Sequence, residues 1–272
     1  MSTADVIFTG PIPNIYDTYL GPLLFEPYAE DLAERLRDLH SGWMLEIAAG
    51  TGIATRALTR VLPSTVEIVA SDLNQAMLDL AATRLDAPNV RWQQADAQEL
   101  PFEESDFDVV VCQFGVMLFP DKKASFREVL HVLVPGGRYL FNIWSGLEDN
   151  EICQTVSQAV AGLFPDDPPR FLERIPYGYG DTDQIIRDVE LAGFERVEIE
   201  TVEKVSRAPS AREAAIGLCQ GTPLRAEIEA RAPDRLDEVT AKAEEALRER
   251  FGSSAIEGRM KAYVVSAWSP KD

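Results

Sequence analysis

Glu46, Gly50, Gly52 and Asp72 are residues of the right type and spacing to hold a ligand. The stretch Leu45-Glu46-Ile47-Ala48-Ala49-Gly50-Thr51-Gly52 carries an apolar strand through an acidic residue into a tight turn. Its two glycines allow φ values closed to other residues and let a ligand lie against the main chain. Asp72 stands twenty residues after Gly52, at the end of the apolar run Val66 to Ala70, where a carboxylate can accept hydrogen bonds from ribose hydroxyls. The set suits a nucleotide-like cofactor. A carboxylate inside a strand needs a partner, so Glu46 is expected to accept from a ligand or from the amides of the loop. A dinucleotide fingerprint wants a third glycine three residues after the second. Thr55 stands there, which counts against a nicotinamide cofactor.

Alternating strands and helices must position these residues, and the pattern predicts an α/β fold with a parallel sheet. Residues 14–40 read as an amphipathic helical segment, with Tyr28, Leu32, Leu36 and Leu39 on one face. Strands are expected at 43–47, 66–71, from Val90, at 107–112 and at 138–143. Pro63 stops the first helix of the core, Asn74 and Asp121 cap the next two, and Pro135 ends the helix that presents Phe126, Val129, Leu130 and Leu133. After Trp144 the turn formers and aromatics of 164–180 read as a lid loop. A helix at 182–192 stopped by Gly193 and a strand at 194–202 follow. Residues 209–252 read as helical, with a Ser210–Glu213 capping box, Pro223 at a first helical position and Gly252 at the close. A last strand is expected at 262–268.

Glu46-x-x-x-Gly50-x-Gly52 followed by Asp72 resembles the cofactor site of class I S-adenosylmethionine-dependent methyltransferases. Three further segments agree: Gln94–Phe102 with Asp96 at the point of contact, the strand Phe107–Gln113, and the helix, Pro-Gly-Gly turn and strand of Glu128–Leu140. These motifs fall in order within roughly residues 43–145, and the likeness is to small-molecule members, of methyltransferase type 11 or ubiquinone-menaquinone methyltransferase kind. Ala48 departs from the pattern, since many members carry a glycine there. The resemblance implies a Rossmann-like, doubly wound, seven-stranded and mostly parallel sheet with an antiparallel last strand. It also implies a single methyltransferase domain over 1–272: an N-terminal helical cover (1–42), a cofactor-binding core (43–145), a lid loop (146–181), core again (182–205), a helical insertion (206–258) and the last strand (259–272).

Composition bears on partners. A net charge of −19 repels polyanions, so nucleic acid and anionic membrane are not expected partners. No apolar run approaches a membrane span and the first basic residue is Arg35, so a cytoplasmic location is expected. Cys112, Cys153 and Cys219 are too few and scattered for a disulfide framework or a zinc site, and no metal is expected. A small-molecule acceptor is expected, and a homodimer stays open.

In open parallel sheets ligands lie beyond the carboxyl ends of the strands. That rule and the resemblance together nominate Ala48, Ala49, Gly50, Thr51, Gly52, Asp72, Gln113 and Phe114 for the cofactor, S-adenosylmethionine, with S-adenosylhomocysteine as product. By resemblance Asp96, with Ala97, meets the adenine amine, and Leu73 and Met77 flank the ring. Tyr16 and Tyr19 either face the sulfonium or dock the N-terminal segment. Asn142, Trp144, Phe171 and Tyr177 are placed with the acceptor. The transfer is an in-line displacement that relies on proximity and orientation, to an O, N or C nucleophile left open. No general base stands out; His131, Tyr177, Tyr179 and Glu148 are the weak candidates. A nicotinamide-dependent oxidoreductase and a non-catalytic S-adenosylmethionine-binding protein are the alternatives.

Overall fold

The computed structural model describes Phe8 and residues 10–271; residues 1–7, 9 and 272 of the terminal segments lie outside the described residues. The chain forms two compact units. One comprises Tyr28–Ile143, Tyr179–Val202 and the residues from Ala262; the other comprises the residues up to Pro27, Trp144–Gly178 and Glu203–Lys261.

The sheet has seven strands in the order β3-β2-β1-β4-β5-β7-β6, all in the first unit except Trp144 of β5, the residues of β6 from Glu203 and those of β7 up to Lys261. Its strands are β1 Gly42–Glu46, β2 Val66–Asp72, β3 Val90–Gln94, β4 Phe107–Gln113, β5 Leu133–Trp144, β6 Arg196–Ala208 and β7 Ile256–Trp268. β1 pairs in parallel with β2 and β4, β2 with β3, and β4 with β5. β7 runs the other way: Ser269 N–H bonds Gly137 C=O and Ser145 N–H bonds Lys261 C=O, so residue numbers fall on β7 as they rise on β5. Val109, Val110, Val111 and Cys112 of β4 are all buried, as a central strand covered on both faces requires.

Helices α3 Ile53–Val61, α4 Gln75–Arg84, α5 Lys122–Val132 and α8 Thr182–Ala192 flank this sheet. Each starts and stops on local chemistry. Asp121 accepts from Ala124 N–H as an N-cap, Asp181 accepts from Asp183 and Gln184 N–H, and Gly193 ends α8 at φ 111°. Asn74, expected to cap α4, makes no side-chain cap bond. Asp72 Oδ1 instead accepts from the N–H of Asn74 itself at 2.8 Å, just ahead of the helix.

The second unit is helical and departs from expectation in two ways. The N-terminal segment is not one amphipathic helix. It runs as α1 Ile12–Ile15, a wide-turned π-helix Tyr16–Phe25 and α2 Glu26–Glu34, whose residues from Tyr28 onward belong to the sheet unit. Pro22 lies inside the π-helix, and Glu26 N–H bonds Gly21 C=O across five residues. The expected lid loop also contains a regular helix, α6 Glu151–Gly162, with α7 Phe171–Arg174 after it. Ile152, Cys153, Val156 and Val160 give α6 a buried stripe at helical spacing, which the turn formers after Leu163 obscured in the sequence. The insertion is helical as expected: α9 Ala211–Gln220, α10 Leu224–Arg231 and α11 Leu236–Phe251, with Glu213 N–H on Ser210 Oγ at 3.2 Å. Pro223 sits one position earlier than expected, at the N-cap of α10. Gly217 of α9 lets the π-helix approach closely, since a Cβ there would lie 2.9 Å from Leu20 Cδ2 and 3.0 Å from Tyr19 Cβ.

β6 and β7 each extend past the expected strands, by residues to 208 and from 256. Their added halves alternate buried and exposed side chains with charges outward, the period of a half-buried antiparallel ribbon rather than an apolar run. Among the described residues no helix is long and apolar enough to cross a membrane, and no group of three or more His, Cys, Asp or Glu is placed to hold a metal ion.

Candidate active site

The turn after β1 is folded tightly against the ends of β2 and β4. Ile47 N–H bonds Val111 C=O, Ala49 N–H bonds Ser71 C=O and Gly52 N–H bonds Ala49 C=O. The path needs three left-handed residues: Ala48 at φ 54°, Gly50 at 56° and Gly52 at 76°. Gly52 has a second constraint, because a Cβ there would sit 2.8 Å from Trp92 Cη2 and 3.2 Å from Ala81 Cβ. Gly50 is different. Its nearest neighbour would be Met77 Cε at 3.7 Å, so only its conformation demands glycine and its outer side is open.

Asp72 ties this turn to α4. Its Oδ2 accepts from Gly50 N–H at 2.9 Å while Oδ1 accepts from Asn74 N–H. Asp72 is 8% exposed; burial raises its pKa, and the Asn74 and Gly50 amides with the Asn74 side chain pull against that rise. Leu73, the next residue, is held open to solvent at 46% exposure, whereas Met77 is buried.

Glu46 is met by the hydroxyl and the backbone N–H of Thr55. Thr55 Oγ1 donates to its Oε2 at 2.7 Å, from the first turn of α3. Burial lifts the Glu46 pKa to about 8, with the Thr55 hydroxyl lowering it, Asp72 raising it and Arg56 lowering it. Thr55 is therefore more than a missing glycine: its side chain occupies the junction where a dinucleotide fold needs close backbone approach, and is fully buried there. Sequence reasoning recorded the position but missed the partnership; a hydroxyl nine residues after a strand carboxylate, one helical turn into the next element, was the signal.

The ends of β4 and β5 form the neighbouring wall. Gln113 pairs with Asn142 in register. Phe114 sits at φ 50°, a strained value for an aromatic residue, and its N–H is shared between Asn142 Oδ1 at 2.9 Å and Asn142 C=O at 3.2 Å. Tyr28 meets the Phe114 ring edge-on at 5.3 Å. Gly115 brings this turn against the β1 loop, since a Cβ there would overlap Ala48 Cβ at 2.5 Å. Asn142 is fully buried and its Nδ2 has no hydrogen-bond partner.

The remaining nominated residues divide by place. Asp96 is half-buried and its Oδ1 accepts from Gln98 N–H at 2.8 Å, while Ala97 is buried. Ala49 and Thr51 are buried within the turn. His131 is at the opposite end of the sheet: its C=O accepts from Ser105 N–H just before β4, and its side chain lines a cleft of about 440 Å³ with Ser105, Arg127 and Pro270. His40 lies at the same end, its C=O accepting from Thr65 Oγ1. Tyr179 is buried with its hydroxyl donated to Asp188 Oδ2 at 2.9 Å, and burial with that carboxylate pushes its pKa far up, which does not suit it to act as a base. Tyr16, Tyr19, Trp144, Glu148, Phe171 and Tyr177 belong to the helical unit. There Tyr16 stacks on Phe25 at 4.9 Å, and Trp144 lies 5.8 Å from Tyr177.

A family model described as a methyltransferase domain matches residues 44–137. A ubiquinone/menaquinone biosynthesis C-methyltransferase of Stutzerimonas stutzeri is 33% identical over 171 residues, covering 58% of this chain and 67% of the relative. The Bacillus YcgJ protein superposes with a TM-score of 0.59 at 18% identity, covering 90% of this chain and all of that one. Phosphoethanolamine N-methyltransferase 2 of Haemonchus contortus, solved with S-adenosyl-L-methionine, superposes with a TM-score of 0.58 at 19% identity, over 95% of this chain and 56% of that one.

Proposed function

The chain belongs to the class I S-adenosylmethionine-dependent methyltransferases, and from that premise we propose that it methylates a ring carbon of a small hydroxylated aromatic acceptor. One observation carries the cofactor half of this reading: a single carboxylate, Asp72, spans the strained glycine turn and the start of α4 with room for more donors. A carboxylate has about four lone-pair sites, so a ribose hydroxyl can still donate to Asp72 beside the two backbone amides and the Asn74 Nδ2 at 3.4 Å. Leu73 offers an exposed apolar face for the adenine ring, and the open side of Gly50 lets ligand atoms approach the backbone. The residues fit the cofactor.

When bound, S-adenosylmethionine supplies an activated methyl group on a sulfonium. The protein's share is placement. Asp72 orients the ribose, Asp96 meets the adenine amine, Leu73 and Met77 flank the ring, and the Ala48–Gly52 turn with Gln113 and Phe114 borders the methionine portion. Asn142 faces the acceptor. Holding two reactants in line contributes on the order of 7–11 kcal/mol in well-oriented systems, which leaves little for a side chain to do chemically. A hydroxylated ring suits this arrangement because its own ionised oxygen activates the neighbouring carbon. Both histidines lie at the amino ends of the strands, so neither is placed to act as base at the turn. The C-methyltransferase activity named for the 33% identical relative supports carbon as the accepting atom.

Calorimetric titration with S-adenosylmethionine, S-adenosylhomocysteine and NAD in parallel tests the cofactor half. The first two should bind and NAD should not. Transfer of labelled methyl to naphthohydroquinone, kept reduced, tests the acceptor half; a labelled nitrogenous product from an amine panel, with none from the quinol, would overturn it.

A further inference from the structure

Asn142 is fully buried at the carboxyl end of β5, and only half of its amide is used. The orientation of that amide is fixed. Its Oδ1 accepts from Phe114 N–H at 2.9 Å, and turning the amide over would set two donors against each other. Nδ2, two donor hydrogens, is left with no hydrogen-bond partner. Buried polar groups in native proteins are almost always satisfied, and the exceptions call for a role. The surroundings repeat the message. Phe114 is strained, Ala48 is strained, and Gly115 packs the two turns together, all beside the strand ends where ligands of such sheets lie.

We infer that Asn142 Nδ2 donates a hydrogen bond to an oxygen of the methyl acceptor, the one attached next to the carbon that is methylated. The inference rests on the acceptor reading above. As the ring π pair forms the new carbon–carbon bond to the methyl group, a lone pair of the phenolate oxygen becomes a C=O bond. The carbon–sulfur pair stays on sulfur, which becomes a neutral thioether. The ring proton at the methylated carbon then leaves to solvent and restores the phenolate. The oxygen accepts hydrogen bonds both as an anion and as a carbonyl, so a neutral amide can hold it throughout. It sets the rotation of the ring and selects acceptors that carry oxygen at that position.

The test uses the full chain and two variants, Asn142→Ala, which removes the donor, and Asn142→Asp, which keeps an acceptor for Phe114 N–H. S-adenosylhomocysteine affinity and then naphthohydroquinone affinity of the S-adenosylhomocysteine-loaded protein are measured by calorimetry. Both variants should bind S-adenosylhomocysteine within about twofold of the parent and the quinol about tenfold or more weakly, because the acceptor oxygen loses its paired donor. Equal quinol affinity in all three proteins overturns the inference and leaves the acceptor reading standing. A parallel loss of S-adenosylhomocysteine affinity overturns it as well, by assigning the amide to the cofactor or to the turn. A parent protein that binds S-adenosylhomocysteine but not the quinol overturns the acceptor reading and this inference with it. Should Asn142→Ala fail to fold, Asn142→Asp decides.

Discussion

The two ends of the sheet treat their polar side chains differently. At the amino ends such groups close on the main chain: Asp108 accepts from Trp43 N–H at 2.8 Å, Asn89 donates to Val66 C=O at 2.8 Å, and Ser269 donates to Val134 C=O at 2.7 Å. At the carboxyl ends Glu46 is buried with a pKa near 8, Asp72 is buried and shared between two turns, and Asn142 keeps a donor in reserve. These three amino-end groups are satisfied within the fold. The carboxyl-end groups, which we propose serve a ligand, keep capacity for one, and the protein bears the cost.

The sharpest way to break that contrast is a pair of glycine substitutions with similar backbone. Gly52→Ala should weaken S-adenosylhomocysteine binding by about 100-fold or more, roughly 3 kcal/mol, because the new Cβ meets Trp92 and Ala81 as well as an unfavourable φ of 76°. Gly136→Ala at the amino end also has φ 76°, but its nearest neighbour is the flexible Lys271 side chain at 3.5 Å. It should cost only about 1–2 kcal/mol of stability and leave binding unchanged. Calorimetry and thermal melts on both proteins decide the matter, and equal loss of binding would erase the distinction between the ends.

A second pair exchanges carboxylates for amides. Asp72→Asn removes the charge that gathers Gly50 N–H and Asn74 N–H, and should lower cofactor affinity about 10–100-fold, in line with charged hydrogen bonds worth roughly 1.5–3 kcal/mol each. Asp108→Asn weakens the bond from Trp43 N–H and should shift the melting temperature alone.

How much of this was legible in the sequence follows the same division. The glycine turn, Asp72 and the Asp121 and Ser210 caps were readable because each depends on neighbours a few residues away. So was the core strand pattern, since a buried parallel strand is an unbroken apolar run. Other features needed tertiary context. The pairing of Glu46 with Thr55 and of Asn142 with Phe114 joins residues that only the packed turns bring together. Helix α6 hid behind a proline-rich tail, and the outer halves of β6 and β7 hid behind their surface charges. The π-helix around Pro22 packs on Gly217 of α9, a contact far away in sequence.

Titration offers a finer probe of the carboxyl end. Glu46 has an ordinary pKa of 4.5 and a folded value of about 8, raised chiefly by burial. The folded state therefore holds a proton that the unfolded chain has lost. That contribution is fully present below pH 4.5 and is lost as pH climbs through 8, about 1 kcal/mol of it between pH 7 and pH 8. Asp72, Arg56 and Cys112 act on the same group, so the measurement is a difference: urea unfolding of the parent against Glu46→Gln across pH 5–9. Glutamine can still accept from Thr55 and cannot ionise. The parent should lose stability relative to the variant as pH rises, and parallel curves would show that Glu46 is already ionised at neutral pH.

The smallest effect sharpens the comparison most, because it separates strain from function. Ala48 at φ 54° and Ser105 at φ 61° are left-handed non-glycine residues at opposite ends of the sheet. A left-handed L-residue costs roughly 1–2 kcal/mol, and glycine in its place gives back about 0.4–1 kcal/mol through the freer unfolded chain. Ala48→Gly and Ser105→Gly should thus each stabilise by about 0.5 kcal/mol, or a degree or two in melting temperature. Their ligand responses should part. The Ala48 Cβ lies against the Gly115 turn, so removing it loosens the contact that holds Phe114 and the glycine loop together. S-adenosylhomocysteine should then bind about two- to threefold more weakly, the cost of ordering a looser loop. Ser105→Gly touches no part of that assembly and should bind as the parent does. If Ala48→Gly gained stability and kept full affinity, the strain at residue 48 would be an accident of sequence, and only Gly52, Asp72 and Asn142 would remain to distinguish one end of the sheet from the other.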